Sequence, residues 1–234
     1  MTQTRRERVR AATIIEIKEI ARQQMAETGA AALSLRAIAR EMGMTSPALY
    51  RYFANRDALV TALIVDAYNA LADALEAARN GRLADDHAGR ISAIAYAYRD
   101  WALASPQEYS LIFGTPIPAY EAPPDVTAPI AARSMMVFLG VLSAAKQSGN
   151  ADFSAVQATI TPALTAQLQP WVDKLQFDDD LAILYLAISN WSMLHGLVSL
   201  EIFGHLDPHM AKENSGALYR AEVATLAKRV ASNK

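Results

Sequence analysis

The tightest constraint on this chain lies between Ser34 and Phe53, where two short apolar-periodic segments meet at one glycine. Leu35, Ile38, Ala39 and Met42 recur at i, i+3, i+4 and i+7, the spacing of one helix face, and Ser34 stands where a cap belongs. Gly43 ends that helix at once. Thr45-Ser46-Pro47 opens another: two hydroxyl residues can cap it, and proline is tolerated in a first turn whose N–H groups lack partners. This third helix is expected to run through Leu49 to about Phe53. Upstream, Ile14, Ile17, Ala21 and Met25 predict an amphipathic helix from about Arg6 to Thr28, with Gly29 as its terminator. Two short helices joined through Gly43 behind a longer packing helix make a helix-turn-helix candidate.

The rest of the chain also reads as helical, with no alternating strand pattern and no repeat. Asn55 offers a cap, and a long helix is predicted from near Arg56 to Asn80-Gly81. Further helices are predicted over about 86–104, 106–113, 125–148, 155–173, 178–204 and 208–231. Pro116, Pro118, Pro123 and Pro124 mark 114–124 as a loop. Asp178-Asp179-Asp180 reads as the charged first turn of a helix, favoured by the helix dipole. The expected fold is all-α: an N-terminal three-helix helix-turn-helix domain, residues 1–55, then a larger helical ligand-binding and dimerisation domain, residues 56–234, with helix 56–80 linking the two.

The stretch from Leu181 to Phe203 is about one bilayer long and mostly apolar. It carries Asn190, His195 and Glu201, however, and an acidic triplet precedes it where a span would want aromatic and basic anchors. A buried helix in an oligomer core fits it better. The start, Met1-Thr2-Gln3-Thr4-Arg5-Arg6, has charge but no apolar run behind it, so no secretory signal is read there and the expected compartment is the cytoplasm.

Net charge is only −2, but its distribution is uneven. Residues 1–60 hold ten Lys/Arg and six Asp/Glu, hence +4; the remainder holds twelve and eighteen, hence −6. A basic head on an acidic body suits a protein in which only the head meets phosphate. The hydrophobic share of 52% with 20% charged residues describes a folded chain, and the lack of cysteine excludes disulfides, thiolate metal sites and cysteine nucleophiles.

In a helix-turn-helix the first short helix lies over the DNA backbone and the second puts its N-terminal side chains into the major groove. Here that second helix begins with Thr45, Ser46, Pro47 and Ala48, small enough for close approach to the bases. Tyr50, Arg51 and Tyr52 follow: phenols can hydrogen-bond phosphate, and Arg51 can reach phosphate or a guanine edge. Leu35, Ile38, Leu49 and Phe53 are assigned to the core of the head. For Arg5, Arg6, Arg8 and Arg10 two readings stay open, a solvated terminus or a basic arm following the DNA.

The run from Ser34 to Phe53, continuing Ala54-Asn55-Arg56-Asp57-Ala58-Leu59, resembles the N-terminal domain of the tetracycline-repressor (TetR) family over about residues 8–60. The resemblance rests on ordered Ile-Ala, Gly, Leu-Tyr-x-Tyr-Phe and Asp-x-Leu elements. It implies an all-helical dimer in which the fourth helix links the DNA head to a ligand-binding body. Carried over by position, Arg36, Thr45, Ser46, Pro47, Tyr50 and Tyr52 would touch DNA and Arg56 would hold a phosphate. Ser34, Ala48 and Arg51 complete the expected DNA-binding set. Many members have His in place of Tyr52 and Lys in place of Arg56; both departures keep a phosphate donor. Farther on, Trp191-Ser192-Met193-Leu194-His195-Gly196, with Tyr98-Arg99-Asp100-Trp101, Pro106, Tyr109 and Phe113, resembles the Trp-His-Gly (WHG) type of C-terminal domain in that family.

That resemblance implies a transcriptional regulator, a repressor released from a palindromic operator by a small-molecule, largely apolar effector. Trp101, Tyr109, Phe113, Met135, Phe138, Trp171, Trp191 and His195 are the candidates for its cavity, the alternative being that they fill a helical core. His195 could donate to a ligand carbonyl or cap a neighbouring one. A homodimer is expected through the helices at 178–204 and 208–231, whose apolar faces (Leu181, Leu184, Ile188, Leu197; Leu218, Val223, Leu226) exceed what a monomer could bury. No cofactor is expected, and no metal: His195, His205 and His209 lack ligand spacing, with Gly204 and Pro208 interrupting. An enzyme reading finds no phosphate loop, zinc-protease signature or nucleophile elbow to rest on.

Overall fold

The computed structural model describes residues 4–149, 151, 153–206 and 216–231. Among them are eleven α-helices and a 3₁₀ turn, with no strand. They are α1 (Arg5–Thr28), α2 (Leu35–Glu41), α3 (Ser46–Tyr50), α4 (Arg56–Asn80), α5 (His87–Ala104), α6 (Pro106–Phe113), α7 (Pro124–Gln147), α8 (Ser154–Gln157), α9 (Pro162–Leu175), α10 (Leu181–Ile202) and α11 (Ala217–Val230). The chain forms two compact units, Met1–Tyr68 with Ser105–Thr127, and Asn69–Ala104 with Ala128–Lys234.

Helix ends follow local chemistry. Thr4 and Glu7 form a reciprocal capping box at the start of α1. Ser34 Oγ accepts from the Ala37 N–H at the start of α2, and Asn55 Oδ1 accepts from the Ala58 N–H at the start of α4. Gly43 takes φ +64°, a left-handed conformation that a side chain would oppose, and so turns the chain from α2 into α3.

Three expectations are corrected. The helix expected over 155–173 is two helices, because Pro162 begins a new one: the residue before a proline avoids helical ψ, and Thr161 caps α9 by accepting from Leu164 N–H at 3.2 Å. α3 ends at Tyr50, earlier than Phe53, with Arg51 as its C-cap. The acidic triplet precedes α10 and does not form its first turn: Asp180 is the N-cap, accepting from Ala182 N–H at 2.9 Å and holding Lys146 Nζ at 2.6 Å. Of the helix expected over 208–231, residues 208–215 lie outside those described.

In the second unit the core is built from Ile91, Ile94 and Tyr98 of α5, Leu139 and Leu142 of α7, Ile183 and Leu194 of α10, and Tyr219 and Leu226 of α11. α11 lies along α5, and α10 packs on α5, α8, α9 and α11. Leu184, Val223 and Leu226, expected on a dimer face, are buried within the chain; Leu181, Ile188 and Leu197 are half-buried and Leu218 is exposed. Three helices, Arg56–Asn80, Pro124–Gln147 and Leu181–Ile202, are long and apolar enough to cross a membrane by length and composition alone. Between 39% and 44% of each apolar window is buried within the chain.

Candidate nucleic-acid interface and effector residues

One shared core fixes α2 and α3. Leu35, Ile38 and Ala39 of α2, Leu49 of α3 and Phe53 are buried with Ile17, Ala21 and Met25 of α1 and Leu59 and Leu63 of α4. Because Leu49 is fully buried, the other side of α3 must face out. Thr45, Pro47, Tyr50 and Arg51 are exposed, while Ser46, Ala48 and Tyr52 are half-buried. Tyr50 is 44% exposed, a large ring left in water one residue from a leucine with no exposure at all. Thr45 is the N-cap of α3, yet its side chain makes no capping hydrogen bond, which leaves its hydroxyl for other use. Arg36 is exposed on α2.

Two side chains of the predicted set have work inside the unit. Ser34 is the α2 cap described above. Arg56 donates to the carbonyls of Ala30 and Ala31, both at 3.0 Å, and so holds the turn after α1 against the start of α4. A third tether has no signature in the sequence. Arg10 of α1 places its guanidinium 5.1 Å from the centre of the Tyr52 ring and donates to the Arg51 carbonyl at 3.4 Å, tying α1 to the C-terminal end of α3.

The charges of this unit divide by position. Lys18 and Arg22 are paired with Asp66, Arg22 also with Glu19 and Glu108, and Arg56 with Asp57. Among the described residues Arg5, Arg6, Arg8, Arg36, Arg40 and Arg51 have no carboxylate partner, and all are exposed. Unneutralised guanidinium groups beside an outward helix face suit a polyanion, since each can displace a condensed counterion.

The predicted effector residues fall in both units. In the first, Tyr109 is fully buried with Phe113 at a ring-centre distance of 5.2 Å, and Phe113 meets Tyr68 edge-on at 6.1 Å. In the second, Trp191 stacks on His195, centres 4.9 Å apart and planes at 25°, and Tyr98 Oη lies 2.8 Å from His195 Nδ1. Burial holds the His195 pKa below the usual histidine value, so the ring is neutral at neutral pH. Phe138 is buried, Trp101 and Met135 are half-buried, and Trp171 is exposed with Lys174 over its ring. Tyr98 is absent from the effector set read from the sequence, because its partner lies 97 residues away and no local spacing links them.

Several charges of this unit are held in ion pairs. Arg99 grips Glu201 with both prongs, Nε to Oε2 at 2.8 Å, and its guanidinium sits 5.8 Å from the centre of the Tyr219 ring. The Glu201 carboxylate raises the Arg99 pKa. Tyr219 donates to the Ala95 carbonyl, and burial pushes its phenol far above the usual range. Gly216, φ +77°, precedes α11 in a left-handed conformation that favours glycine, with the Arg99 guanidinium beside it. Arg133 of α7 binds Glu76 and Asp73 of α4 at 2.6–2.8 Å. For the histidines weighed as metal ligands, His205 is exposed and His209 lies outside the described residues; no group of three metal-ligating side chains occurs among those described.

Comparison with known proteins gives the class. Residues 17–63 match the family of bacterial regulatory proteins, tetR family, and residues 91–226 match the tetracyclin repressor-like C-terminal domain. The chain is 36% identical over 211 residues to HTH-type transcriptional regulator Rv1816 of Mycobacterium tuberculosis and Mb1846 of Mycobacterium bovis, covering 90% of this chain and 89% of theirs. The crystal structure of SCO4313 is similar with a TM-score of 0.78 and 41% identity, over 95% of this chain and 98% of that one. PfmR, a TetR family transcriptional regulator from Thermus thermophilus, shares the fold at a TM-score of 0.59 and 16% identity, over 91% and 97%. The chain belongs to the TetR family of DNA-binding transcriptional regulators.

Proposed function

We propose that this protein is a homodimeric repressor, working in the cytoplasm, that leaves a palindromic operator when a small, largely apolar effector binds its body. It acts by binding and not by catalysis. The functional division is residues 1–55 as the DNA head and 56–234 as the sensing and dimerising body. The observation that carries the reading is the outward face of α3: Thr45, Pro47, Tyr50 and Arg51 exposed over a fully buried Leu49. Inserted in a major groove, Thr45, Ser46, Pro47 and Ala48 meet base edges, Arg51 reaches a guanine or a phosphate, and Tyr50 and Tyr52 donate to phosphates. Arg36 reaches the backbone from α2. Ser34 and Arg56 would join by sharing the bonds they already make.

A dimer is supported by the C-terminal part of α10. Ser189, Met193, Gly196, Leu200 and Phe203 share one helix face, Leu200 and Phe203 are exposed at 40% and 48%, and a Cβ on Gly196 would meet nothing. A glycine in open space inside a helix costs stability, which suits close approach by a second copy. The effector reading rests on the Tyr98–His195–Trp191 group, aromatic and with its histidine pKa lowered by burial. Such a molecule would release DNA only by binding the non-operator conformation better than the operator-bound one.

The test is selection of DNA fragments from a random library by the intact protein and by Tyr50→Ala. One palindromic sequence should be enriched, and its affinity should fall by roughly tenfold or more per head in the variant, the loss of a hydrogen bond to a charged group. A folded dimer that enriches no sequence at low salt would overturn the proposal.

A further inference from the structure

α1 carries its charge the wrong way round. Arg5, Arg6 and Arg8 stand at its positive end, with Glu7 alone against them, and its last turn has no basic residue to meet the negative end. A helix dipole disfavours that order, so the arginines lower the stability of the helix that holds them. They also lack carboxylate partners among the described residues. Residues placed against local preference point to a task outside the fold.

Their positions say which task. Arg5, Arg6, Val9 and Arg10 fall at i, i+1, i+4 and i+5, one face of α1, and line an open concavity whose other wall is Met44, Ala48, Arg51 and Tyr52. That second wall is the turn before α3 and the C-terminal half of α3 with its cap. Arg10 is already engaged with Tyr52 and the Arg51 carbonyl, so it fixes the two walls together. Arg5, Arg6 and Arg51 are left as exposed donors around the opening, while Arg8 does not line it.

We propose that Arg5 and Arg6, with Arg51 opposite, seat the DNA sugar-phosphate backbone beside the groove entered by α3, and that Arg10 is the positioning residue that holds this seat open. The partner is a duplex phosphodiester backbone. Guanidinium groups supply the phosphate contacts, and Val9, Met44 and Ala48 suit the apolar edge of the sugars. Such contacts carry no sequence information; they set register and affinity. The inference rests on the DNA-binding reading and extends it from α3 to α1.

The experiment compares the intact protein, Arg5→Gln/Arg6→Gln and Arg8→Gln on the selected operator and on unrelated duplex DNA across a salt series. The double variant should bind both DNAs more weakly by similar factors. The slope of log affinity against log salt should flatten by about 0.9 for each phosphate that is no longer neutralised, so about 1.8 per head. Its melting temperature should hold or rise, since unfavourable charges leave the start of α1. Arg8→Gln should change the slope much less. An unchanged slope in the double variant, or an equal flattening in Arg8→Gln, would overturn the seat while leaving operator binding by the intact protein in place. If the intact protein binds neither DNA in a salt-dependent way, the DNA reading itself fails, and the seat with it.

Discussion

Arginines of the two units illustrate two different uses of one side chain. In the first, the arginines at the outer end of α1, on α2 and at the end of α3 have no carboxylate partner among the described residues, while Arg22 and Arg56 are paired. In the second, Arg99 and Arg133 are each gripped by carboxylates from another helix, and Lys146 holds the cap of α10. An unpaired guanidinium on a surface contributes nothing to folding and keeps its full charge for a polyanion. A paired, half-buried one fixes two helices at a set distance and offers a ligand little charge. The same residue type thus stands open to a polyanion around α3 and serves as an internal tether at Arg99 and Arg133.

The strongest way to break this contrast is Arg99→Met. Arg99 and Glu201 side chains are each only 16% exposed, so removing the cation takes a two-pronged charged partner from a largely buried carboxylate. We expect a loss of about 2–3 kcal/mol of unfolding free energy, below the full cost of a wholly buried pair because some solvent reaches it. Urea denaturation measures it. A change under about 0.5 kcal/mol would place the pair with ordinary surface ion pairs and remove the contrast.

How far each unit was legible in the sequence follows from the same contrast. α2 and α3 are set by residues close in sequence: the Leu35-Ile38-Ala39-Met42 stripe, Gly43 and Leu49 lie near one another along the chain, so periodicity and turn chemistry give both helices nearly to their ends. The exposed face of α3 follows by subtraction once Leu49 is taken inside. The body is built from contacts remote in sequence. Arg99 meets Glu201 across 102 residues and Tyr98 meets His195 across 97, and nothing in either segment names its partner. Hence aromatic content picks out Trp191 and His195 but also Trp171, which is exposed, and it misses Tyr98. Pro162 is visible as a breaker, but that a separate helix begins there depends on Thr161 capping it. Arg56, read as a phosphate donor, turns its guanidinium to the carbonyls of Ala30 and Ala31, the first of them 26 residues upstream.

Arg10 sits on the line between the two treatments, and substituting it sharpens where that line runs. As a tether it should cost about 0.5–1 kcal/mol on conversion to methionine, the worth of an exposed cation–π contact, with operator affinity falling a few-fold because α3 is held less firmly. As a tether, too, it should leave the salt slope almost unchanged, and Arg10→Lys should restore little, since lysine lacks the planar group that stacks on Tyr52. Thermal melts with salt-dependent binding separate the cases. An unchanged melting temperature with a slope flattened by about 0.9 per head would move Arg10 from the tethers to the phosphate ligands.

The smallest effect is expected at His195, the one titratable group in the second unit's aromatic cluster whose charge can change near neutrality. Burial lowers its pKa below the unfolded value, so the folded state takes up a proton less readily than the unfolded chain. Above the unfolded value, near 6.5, both states are neutral and the native arrangement with Tyr98 is fully kept. As pH falls below it the unfolded chain binds the proton first, and stability is lost progressively until pH passes the folded value. Melting temperature should therefore drop from pH 7 to pH 5 more in the intact protein than in His195→Gln. Equal slopes in the two proteins would mean that His195 is as solvated as an ordinary surface histidine. The neutral, closed cluster would then lose its standing as the counterpart of the open, charged head.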